Sequence, residues 1–365
     1  MKILLLFLVS LTVLGQKKTE EYKFLVGNYS KKGAKGIYYC KYNPNNNTAK
    51  IVSNSPAIED PSFLAISKNQ KNVYSVSETD GGSAVALDFD IENGEFKIKN
   101  LVKSGGAHPC HIVLDKTGKW AFTANYSGGS VGVLPIKIDG TLGEPVQSVQ
   151  HYGSGPNKSR QEKPHVHSVN ISPDNKHLFV VDLGIDEVKA YDFNEKIGKL
   201  KEAYSIKLSP GSGPRHFTFH PTLPYAYVIQ ELTGKVTTFS YLSSKLEILE
   251  EVSTLPSNFT GKNSCADIHI SPDGKFLYGS NRFFDKIVLF KIDQNTGFLT
   301  QVNQTDVAGK TPRNFGITPD GKYLFVANQD SDNVVIFKRD VKTGLLTQME
   351  REINISMPVC IKFLK

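Results

Sequence analysis

The stretch Gly213-Pro-Arg-His-Phe-Thr-Phe-His-Pro-Thr-Leu-Pro-Tyr-Ala-Tyr-Val-Ile-Gln-Glu231 predicts a β-hairpin. Two alternating runs rich in aromatic and β-branched residues flank a Pro-Thr-Leu-Pro turn. Counting outward from that turn pairs Arg215 with Gln230 and Pro214 with Glu231. The hairpin therefore gathers a cation, an imidazole and a carboxylate at its open end.

The second half of this hairpin is one copy of a motif that recurs along the chain. Clear copies span Asp174–Asp182, Asp273–Asn281 and Asp320–Asn328. Together with looser copies they give seven equivalent strand ends, which are Asn28, Ser77, Asn125, Asp182, Gln230, Asn281 and Asn328. Successive ends are 49, 48, 57, 48, 51 and 47 residues apart. A regular period of this length with strands inside it is typical of a β-propeller or β-solenoid, and room for four strands in each period favours propeller blades.

We therefore expect an all-β protein, a seven-bladed β-propeller of four-stranded antiparallel blades that forms a single domain over residues 17–365. The strand 23–30 has no leading strand before it, whereas 357–365 reads as a leading strand with nothing after it. The C-terminal strand should therefore pair with the N-terminal strands and close the ring. This places Cys360 and Cys40 two strands apart, too far for a disulfide, and favours buried free thiols for the four cysteines.

Residues 1–16 have one early cation followed by a short apolar run, which is typical of a signal peptide. We expect an exported protein, periplasmic or secreted, with no membrane association after the signal is removed; a short membrane anchor is the alternative. The net charge of +7 is spread over the 365 residues rather than clustered, so no nucleic-acid partner is expected. The protein should be a monomer or a weak homodimer.

Aligning the leading strands by their turns predicts three columns of residues at one mouth of the central channel. The first column is Ser62, Cys110, His167, Arg215, Ala266, Arg313 and Val359. The neighbouring column is Phe63, His111, Ser168, His216, Asp267, Asn314 and Cys360. The residues that follow the seven strand ends are Tyr29, Glu78, Tyr126, Leu183, Glu231, Arg282 and Gln329. Charged and imidazole groups are concentrated in these columns, as a small-molecule site requires.

The candidate catalytic residues are His167, Glu231 and Arg215. His167 is a candidate general base or acid because imidazole titrates near neutrality. Glu231 could position or deprotonate a water, or merely hold Arg215; a neighbouring arginine keeps it ionised and favours a positioning role. For His165, in the same His-Val-His run, a structural role satisfied by backbone groups is the favoured interpretation.

The candidate substrate-binding residues are Arg282, Arg313, His216, Glu78, His111 and Asn125. Three arginines from different blades suggest an anionic substrate, because a guanidinium fork suits phosphate or carboxylate. Inter-blade salt bridges are the alternative for each arginine. The spacing of His and Cys indicates no metal site, and the absence of a Gly-rich phosphate loop or a CxxC pair leaves no cofactor to expect.

These motifs resemble the lactonase family of seven-bladed propellers over nearly the whole mature chain. The most specific matches are His165–Ser168, Gly213–His216, Gln230–Leu232, Ser280–Arg282 and Pro312–Phe315. The resemblance implies a metal-independent ester hydrolysis that opens a sugar lactone, as in 6-phosphogluconolactonases. In a related branch that cyclises carboxymuconates, the residues matching His167, Arg215, Glu231 and Arg282 form the proposed site.

We therefore expect a lactone hydrolase that acts on an anionic small-molecule lactone, phosphorylated or not. The alternatives are a lactone-forming enzyme of the carboxymuconate-cyclase type and a non-enzymatic exported propeller that binds a ligand or protein.

Overall fold

The computed structural model describes residues 21–365 and contains 28 β-strands in seven four-stranded antiparallel sheets. The predicted signal peptide, residues 1–16, lies outside the described residues. A single turn of 3₁₀ helix spans Lys31–Gly33. The predicted all-β, seven-bladed architecture is confirmed.

Each blade runs from an inner to an outer strand, and six blades are continuous in sequence. The second and third blades comprise β4 (Leu64–Ile66), β5 (Asn72–Ser77), β6 (Ser83–Asp90), β7 (Glu95–Lys103), β8 (Pro109–Leu114), β9 (Trp120–Asn125), β10 (Ser130–Pro135) and β11 (Gln147–Gln150). The fourth and fifth blades comprise β12 (Val166–Ile171), β13 (His177–Asp182), β14 (Glu187–Asn194), β15 (Lys199–Lys207), β16 (Pro214–Phe219), β17 (Tyr225–Gln230), β18 (Lys235–Leu242) and β19 (Lys245–Ser253). The sixth and seventh blades comprise β20 (Ser264–Ile270), β21 (Phe276–Arg282), β22 (Lys286–Ile292), β23 (Leu299–Asp306), β24 (Pro312–Ile317), β25 (Tyr323–Asn328), β26 (Asn333–Arg339) and β27 (Leu346–Asn354).

The first blade closes the ring by joining the two ends of the chain. It comprises, from the inside outwards, β28 (Pro358–Phe363), β1 (Tyr22–Asn28), β2 (Tyr38–Asn43) and β3 (Thr48–Asn54). The inner strands of successive blades contact one another in an unbroken circle, in which β28 touches both β4 and β24. Cys360 and Cys40 lie on the first and third strands of this blade, and all four cysteines are buried and free, as predicted.

The apolar core lies between neighbouring blades. Phe24 and Val26 of the first blade pack with Phe325 and Ala327 of the seventh, and equivalent clusters fill the other interfaces. Both faces of the second strand of each blade are therefore buried, which explains the nearly continuous apolar character of strands such as Tyr225–Gln230. This packing holds the inner strands rigidly around the channel.

The repeated turns lie at the opposite end of the hairpins from the strand ends and are structural. Gly274 and Gly321 have φ values of +71° and +73°, and Asn175 occupies the same turn position at +65°. Asp320 accepts a hydrogen bond from the hydroxyl of Thr318 at 2.7 Å, and the equivalent aspartates do the same with serines. Glycine and asparagine tolerate this left-handed conformation, which is why the turn is so recognisable in the sequence.

One predicted register is wrong, and the error recurs in a regular way. Pro214 pairs with Gln230 and His216 with Ile229, so Arg215 has no partner across the strand. The same shift leaves Cys110, His167 and Arg313 unpaired on their inner strands. Each is the extra residue of a β-bulge, which leaves the ladder and re-aims its side chain.

Candidate active site

The bulges build a polar cavity around the channel axis. The bulged residues, which have no partner across the inner strand pair, lie close to the residues that follow the second strands. Both sets lie at the same edge of each hairpin. The resulting cavity has a volume of about 180 Å³. It is lined by Glu78, Cys110, Tyr126, Arg160, His167, Arg215, Glu231, Arg282 and Arg313. The structure therefore brings together six of the predicted site residues: His167, Arg215, Glu231, Arg282, Arg313 and Glu78.

The Glu231 carboxylate is shared by three guanidinium groups. Its Oε2 accepts hydrogen bonds from Nη1 of Arg215 at 2.7 Å and pairs with Nη2 of Arg282 at 2.8 Å, while Oε1 accepts from Nη2 of Arg160. Burial would raise the pKa of this carboxyl, but the three arginines, Arg282 foremost, lower its pKa far below the ordinary value. Glu231 is thus a fixed anion that orients the arginines and is a poor proton acceptor.

His167 is a neutral imidazole in contact with Arg215. Burial and, next, the charge of Arg215 lower the pKa of His167 well below its ordinary value near 6.5. Nη1 of Arg215 donates to Nε2 of His167, which assigns the imidazole proton to Nδ1, 3.9 Å from the sulfur of Cys110. The ring therefore carries an unprotonated nitrogen beside the cavity, in the form that a general base requires.

Arg313 approaches the same cavity from the seventh blade. Its Nη2 donates to the hydroxyl of Tyr29 at 2.8 Å, and that hydroxyl donates to Glu78 at 3.1 Å. Ser62 also donates to the Glu78 carboxylate. Burial raises the pKa of Glu78, an effect that the nearby charge of Arg313 opposes.

The cavity carries an excess of positive charge. Four guanidinium groups face two carboxyl groups, those of Glu231 and Glu78. Burial, above all, lowers the pKa of Arg282 to about 9. The positive charges of Arg215 and Arg313 also lower this pKa, whereas the carboxylate of Glu231 raises it. An anionic ligand would relieve this repulsion.

The prediction that all the columns converge on one mouth is wrong for His111 and His216. Both line a second cavity of about 470 Å³ on the other side of the bulges, together with Asp267 and Lys362. Nδ1 of His216 lies 2.6 Å from Oδ1 of Asp267. His216 lies between the two cavities, since its ring centroid is 5.3 Å from that of His167, whereas His111 lies on the side of the second cavity.

Asn125 does not line either cavity. It is fully buried, and its Nδ2 donates to the hydroxyl of Ser130 at 3.2 Å and to the backbone oxygen of Ser104 at 3.4 Å. Asn125, the last residue of β9, therefore holds in place the connection between β7 and β8, which links the second and third blades. The structure therefore does not bring Asn125 together with the other predicted substrate-binding residues of the polar cavity.

His165 also lies outside the polar cavity, as its structural interpretation predicts. Its ring stacks on Tyr126 with centroids 4.4 Å apart, and Nε2 lies 3.1 Å from Glu162. Within residues 21–365 no group of three or more His, Cys, Asp or Glu side chains has the geometry of a metal site.

Arg160 is a cavity residue that the column alignment misses, because it belongs to the connection between β11 and β12 and to no repeated strand. A signal for it exists in the sequence. The interval from Asn125 to Asp182 is 57 residues, against 47 to 51 for the others, and the extra length forms the segment 151–165 that reaches the cavity. The bulges also have a signal, since proline precedes Cys110, Arg215, Arg313 and Val359.

Comparison with known proteins agrees with this geometry. The family model described as "Lactonase, 7-bladed beta-propeller" matches residues 23–363. The chain is 36% identical over 342 residues to the 6-phosphogluconolactonase of Bacillus subtilis (strain 168), covering 93% of this chain and 97% of that one.

Two solved structures are similarly close. A protein from Bacteroides fragilis NCTC 9343, described as a candidate 6-phosphogluconolactonase, is 39% identical with a TM-score of 0.90, covering 96% of this chain and 100% of that one. The periplasmic gluconolactonase of Pseudomonas aeruginosa is 32% identical with a TM-score of 0.89, covering 94% and 99%. No helix among residues 21–365 has the length and apolar character needed to cross a membrane. Because the family model matches residues 23–363 and the relatives are similar over nearly their whole length, the chain belongs to the lactonase family of seven-bladed β-propellers.

Proposed function

We propose that this lactonase-family protein hydrolyses the ester bond of a sugar lactone that carries an anionic group, with 6-phosphogluconolactone as the favoured substrate. The observation that carries the proposal is the contact of a neutral His167 with Arg215 beside a cavity rich in guanidinium groups. A base next to fixed cations suits attack of water on a carbonyl, because negative charge develops on the carbonyl oxygen. The names of the Bacillus subtilis and Bacteroides fragilis relatives support the phosphorylated sugar.

In the proposed reaction His167 takes a proton from water as its oxygen attacks the lactone carbonyl. Arg215 and Arg282 stabilise the negative oxygen of the tetrahedral intermediate. The ring C–O bond then breaks, and the protonated His167 gives its proton to the departing ring oxygen. The products are the free hydroxyl and the carboxylate of the open-chain acid, with one proton released to solvent.

Glu231 acts in this proposal as a positioning residue. Its three arginine partners keep it ionised, so it holds Arg215 and Arg282 in place rather than accepting the proton. The arginines already supply the positive charge that a metal ion would bring to the carbonyl, and we therefore propose that the reaction requires no metal and no cofactor.

We also propose that the protein works outside the cytoplasm as a monomer or weak homodimer. The signal-like segment 1–16 supports export, and one close structural relative is named a periplasmic enzyme. Expression of the full-length protein fused at its C-terminus to alkaline phosphatase tests export. Phosphatase activity in intact cells is expected, and activity only after lysis would contradict export.

The test of the catalytic role compares the His167→Asn variant with wild type in an assay of acid release from 6-phosphogluconolactone. Loss of the base should lower kcat by about 10²–10⁴-fold. His177→Asn is the matched control. His177 is the first residue of β13, lies at the far end of the same hairpin and pairs with Asp192 outside both cavities. Equal rates for His167→Asn and wild type would refute the assignment.

A further inference from the structure

Two of the four cavity arginines, Arg215 and Arg282, are buried and are each held by several contacts within the protein. Nε of Arg215 donates to the backbone oxygen of Ala266 at 3.0 Å, and its Nη1 is shared between His167 and Glu231. Nε and Nη2 of Arg282 donate to the backbone and hydroxyl oxygens of Ser264 at 3.2 and 2.7 Å. These guanidiniums are held in fixed orientations, and each keeps one nitrogen, Nη2 of Arg215 and Nη1 of Arg282, that has no acceptor among the described residues.

Arg160 is placed differently. Its side chain is 37% exposed at the rim of the cavity, and its contacts with Glu231 and with the hydroxyl of Tyr126, at 3.3 Å, both use Nη2. Nε and Nη1 have no hydrogen-bond acceptor within residues 21–365. A guanidinium has five N–H groups, so Nε and Nη1, whose N–H groups point in different directions, each remain free to donate to an anion.

The segment that carries Arg160 is firmly anchored. The adjacent Gln161 is fully buried, and its Nε2 donates to Oδ1 of Asp186 at 2.7 Å and to the backbone oxygen of Leu183 at 2.9 Å. The same Asp186 oxygen accepts the backbone N–H of Gly213 at 2.8 Å, just before the strand that carries Arg215. The fold thus ties the position of Arg160 to the position of Arg215.

Charge compensation within the protein does not require Arg160. Glu231 already pairs with the buried Arg215 and Arg282, which exceed its single charge. A third guanidinium on the same carboxylate adds repulsion unless a further anion is present. The excess charge and the free donors of Arg160 therefore indicate the same missing partner, which is an anionic group at the rim of the cavity.

We infer that Arg160 selects lactones that carry a phosphoryl group over neutral lactones, an inference that rests on the proposed function. Nη1 of Arg160 donates to an oxygen of the phosphoryl group while Nη2 stays on Glu231, a combination that suits the three nitrogens of arginine better than the single nitrogen of lysine. A neutral lactone makes no such contact, so Arg160 controls specificity while His167 and Arg215 carry out the hydrolysis.

The experiment measures kcat/KM for 6-phosphogluconolactone and for unphosphorylated gluconolactone with wild type, Arg160→Met, Arg160→Lys and Lys158→Met. Lys158 is an exposed cation on the same segment outside both cavities, so its variant controls for the loss of one positive charge. Arg160→Met should lower kcat/KM for the phosphorylated lactone about 10–100-fold. For the neutral lactone we expect a change of less than about 3-fold, with Arg160→Lys intermediate and Lys158→Met like wild type.

Equal losses on both lactones in Arg160→Met would overturn the inference and indicate that Arg160 only supports Glu231, with the proposed function intact. If wild type hydrolyses neither lactone, the proposed function fails, and calorimetric binding of 6-phosphogluconate and gluconate then decides the inference. Tighter binding of the phosphorylated acid that is lost in Arg160→Met supports it. Equal binding of the two acids by wild type, or unchanged binding in Arg160→Met, contradicts it.

Discussion

Nη1 of Arg215 lies 2.7 Å from Oε2 of Glu231, although the two residues are not partners in the β-ladder that joins their strands. The bulge at Arg215 removes it from the ladder and turns its side chain into the channel. Glu231 follows the last residue of the second strand and enters the same space. The geometry of their ion pair therefore depends on the bulge at Arg215, which the alternation of residues in the hairpin does not predict.

Replacing Glu231 by Gln should damage both stability and activity. The variant leaves Arg160, Arg215 and Arg282 without their shared anion in a buried site, and removing one partner of a buried ion pair costs about 3–5 kcal/mol. Urea unfolding should show this loss, and kcat should fall because Arg215 and Arg282 lose their orientation.

A control for this measurement is Glu202→Gln, since Glu202 is an exposed partner of Lys189 and its change should cost less than about 1 kcal/mol. An unfolding free energy for Glu231→Gln within about 1 kcal/mol of wild type would show that the arginines need no internal anion.

The pH dependence of kcat/KM should reflect the low pKa of His167. Because burial and Arg215 hold its pKa well below 6.5, the imidazole remains an unprotonated base throughout the neutral range. We expect kcat/KM to stay level from pH 7.5 to 6.5 and to decline only well below 6.5, after subtraction of spontaneous hydrolysis. A decline centred at or above pH 6.5 would contradict the assignment of His167 as the base.

Stability should fall as the pH falls below 6.5. Burial lowers the pKa of His111 and His167 well below 6.5 and that of His216 to about 4, so below pH 6.5 the unfolded chain binds protons that the folded chain does not. Each such histidine lowers the unfolding free energy by up to about 1.4 kcal/mol per pH unit as the pH falls. Glu78 acts in the opposite sense because burial raises its pKa, while Glu231, with its lowered pKa, contributes only at more acidic pH.

Urea unfolding at pH 7, 6 and 5 measures this slope. The variant His111→Gln should reduce it by up to one histidine's share. An unfolding free energy that does not change between pH 7 and 5 would rule out buried neutral histidines.

Ring closure by the C-terminal strand should be essential for folding. Deleting residues 357–365 removes β28 and exposes the inner edge of β1, with loss of the buried side chains Val359, Cys360 and Ile361. Burial of Val359 and of Ile361 contributes about 1.5–3 kcal/mol each, so the truncated chain should unfold at a much lower temperature or fail to fold. Deleting Lys365 alone should have little effect. A truncated protein with the thermal midpoint of the full chain would contradict closure.

The sequence alone predicts the blades, the turns and the closing strand, because these features depend on local rules. The turn at Asp273–Gly274 requires a residue with a positive φ, which glycine adopts readily. The C-terminal strand requires a neighbouring strand for its backbone hydrogen bonds. The sequence does not place His216 and Asn125, because a one-residue bulge and the enclosure of an amide depend on three-dimensional packing. The repeat does not identify Arg160, because only the length of its segment, and no repeated motif, distinguishes it.

The most direct test of the account is the rate at which purified wild-type protein releases acid from 6-phosphogluconolactone at pH 6.5, measured against buffer and against gluconolactone. We predict hydrolysis that is proportional to protein concentration, saturates with substrate and is faster for the phosphorylated lactone. Progress curves for both lactones that coincide with buffer at every protein concentration would contradict the assignment of the polar cavity as a lactonase site.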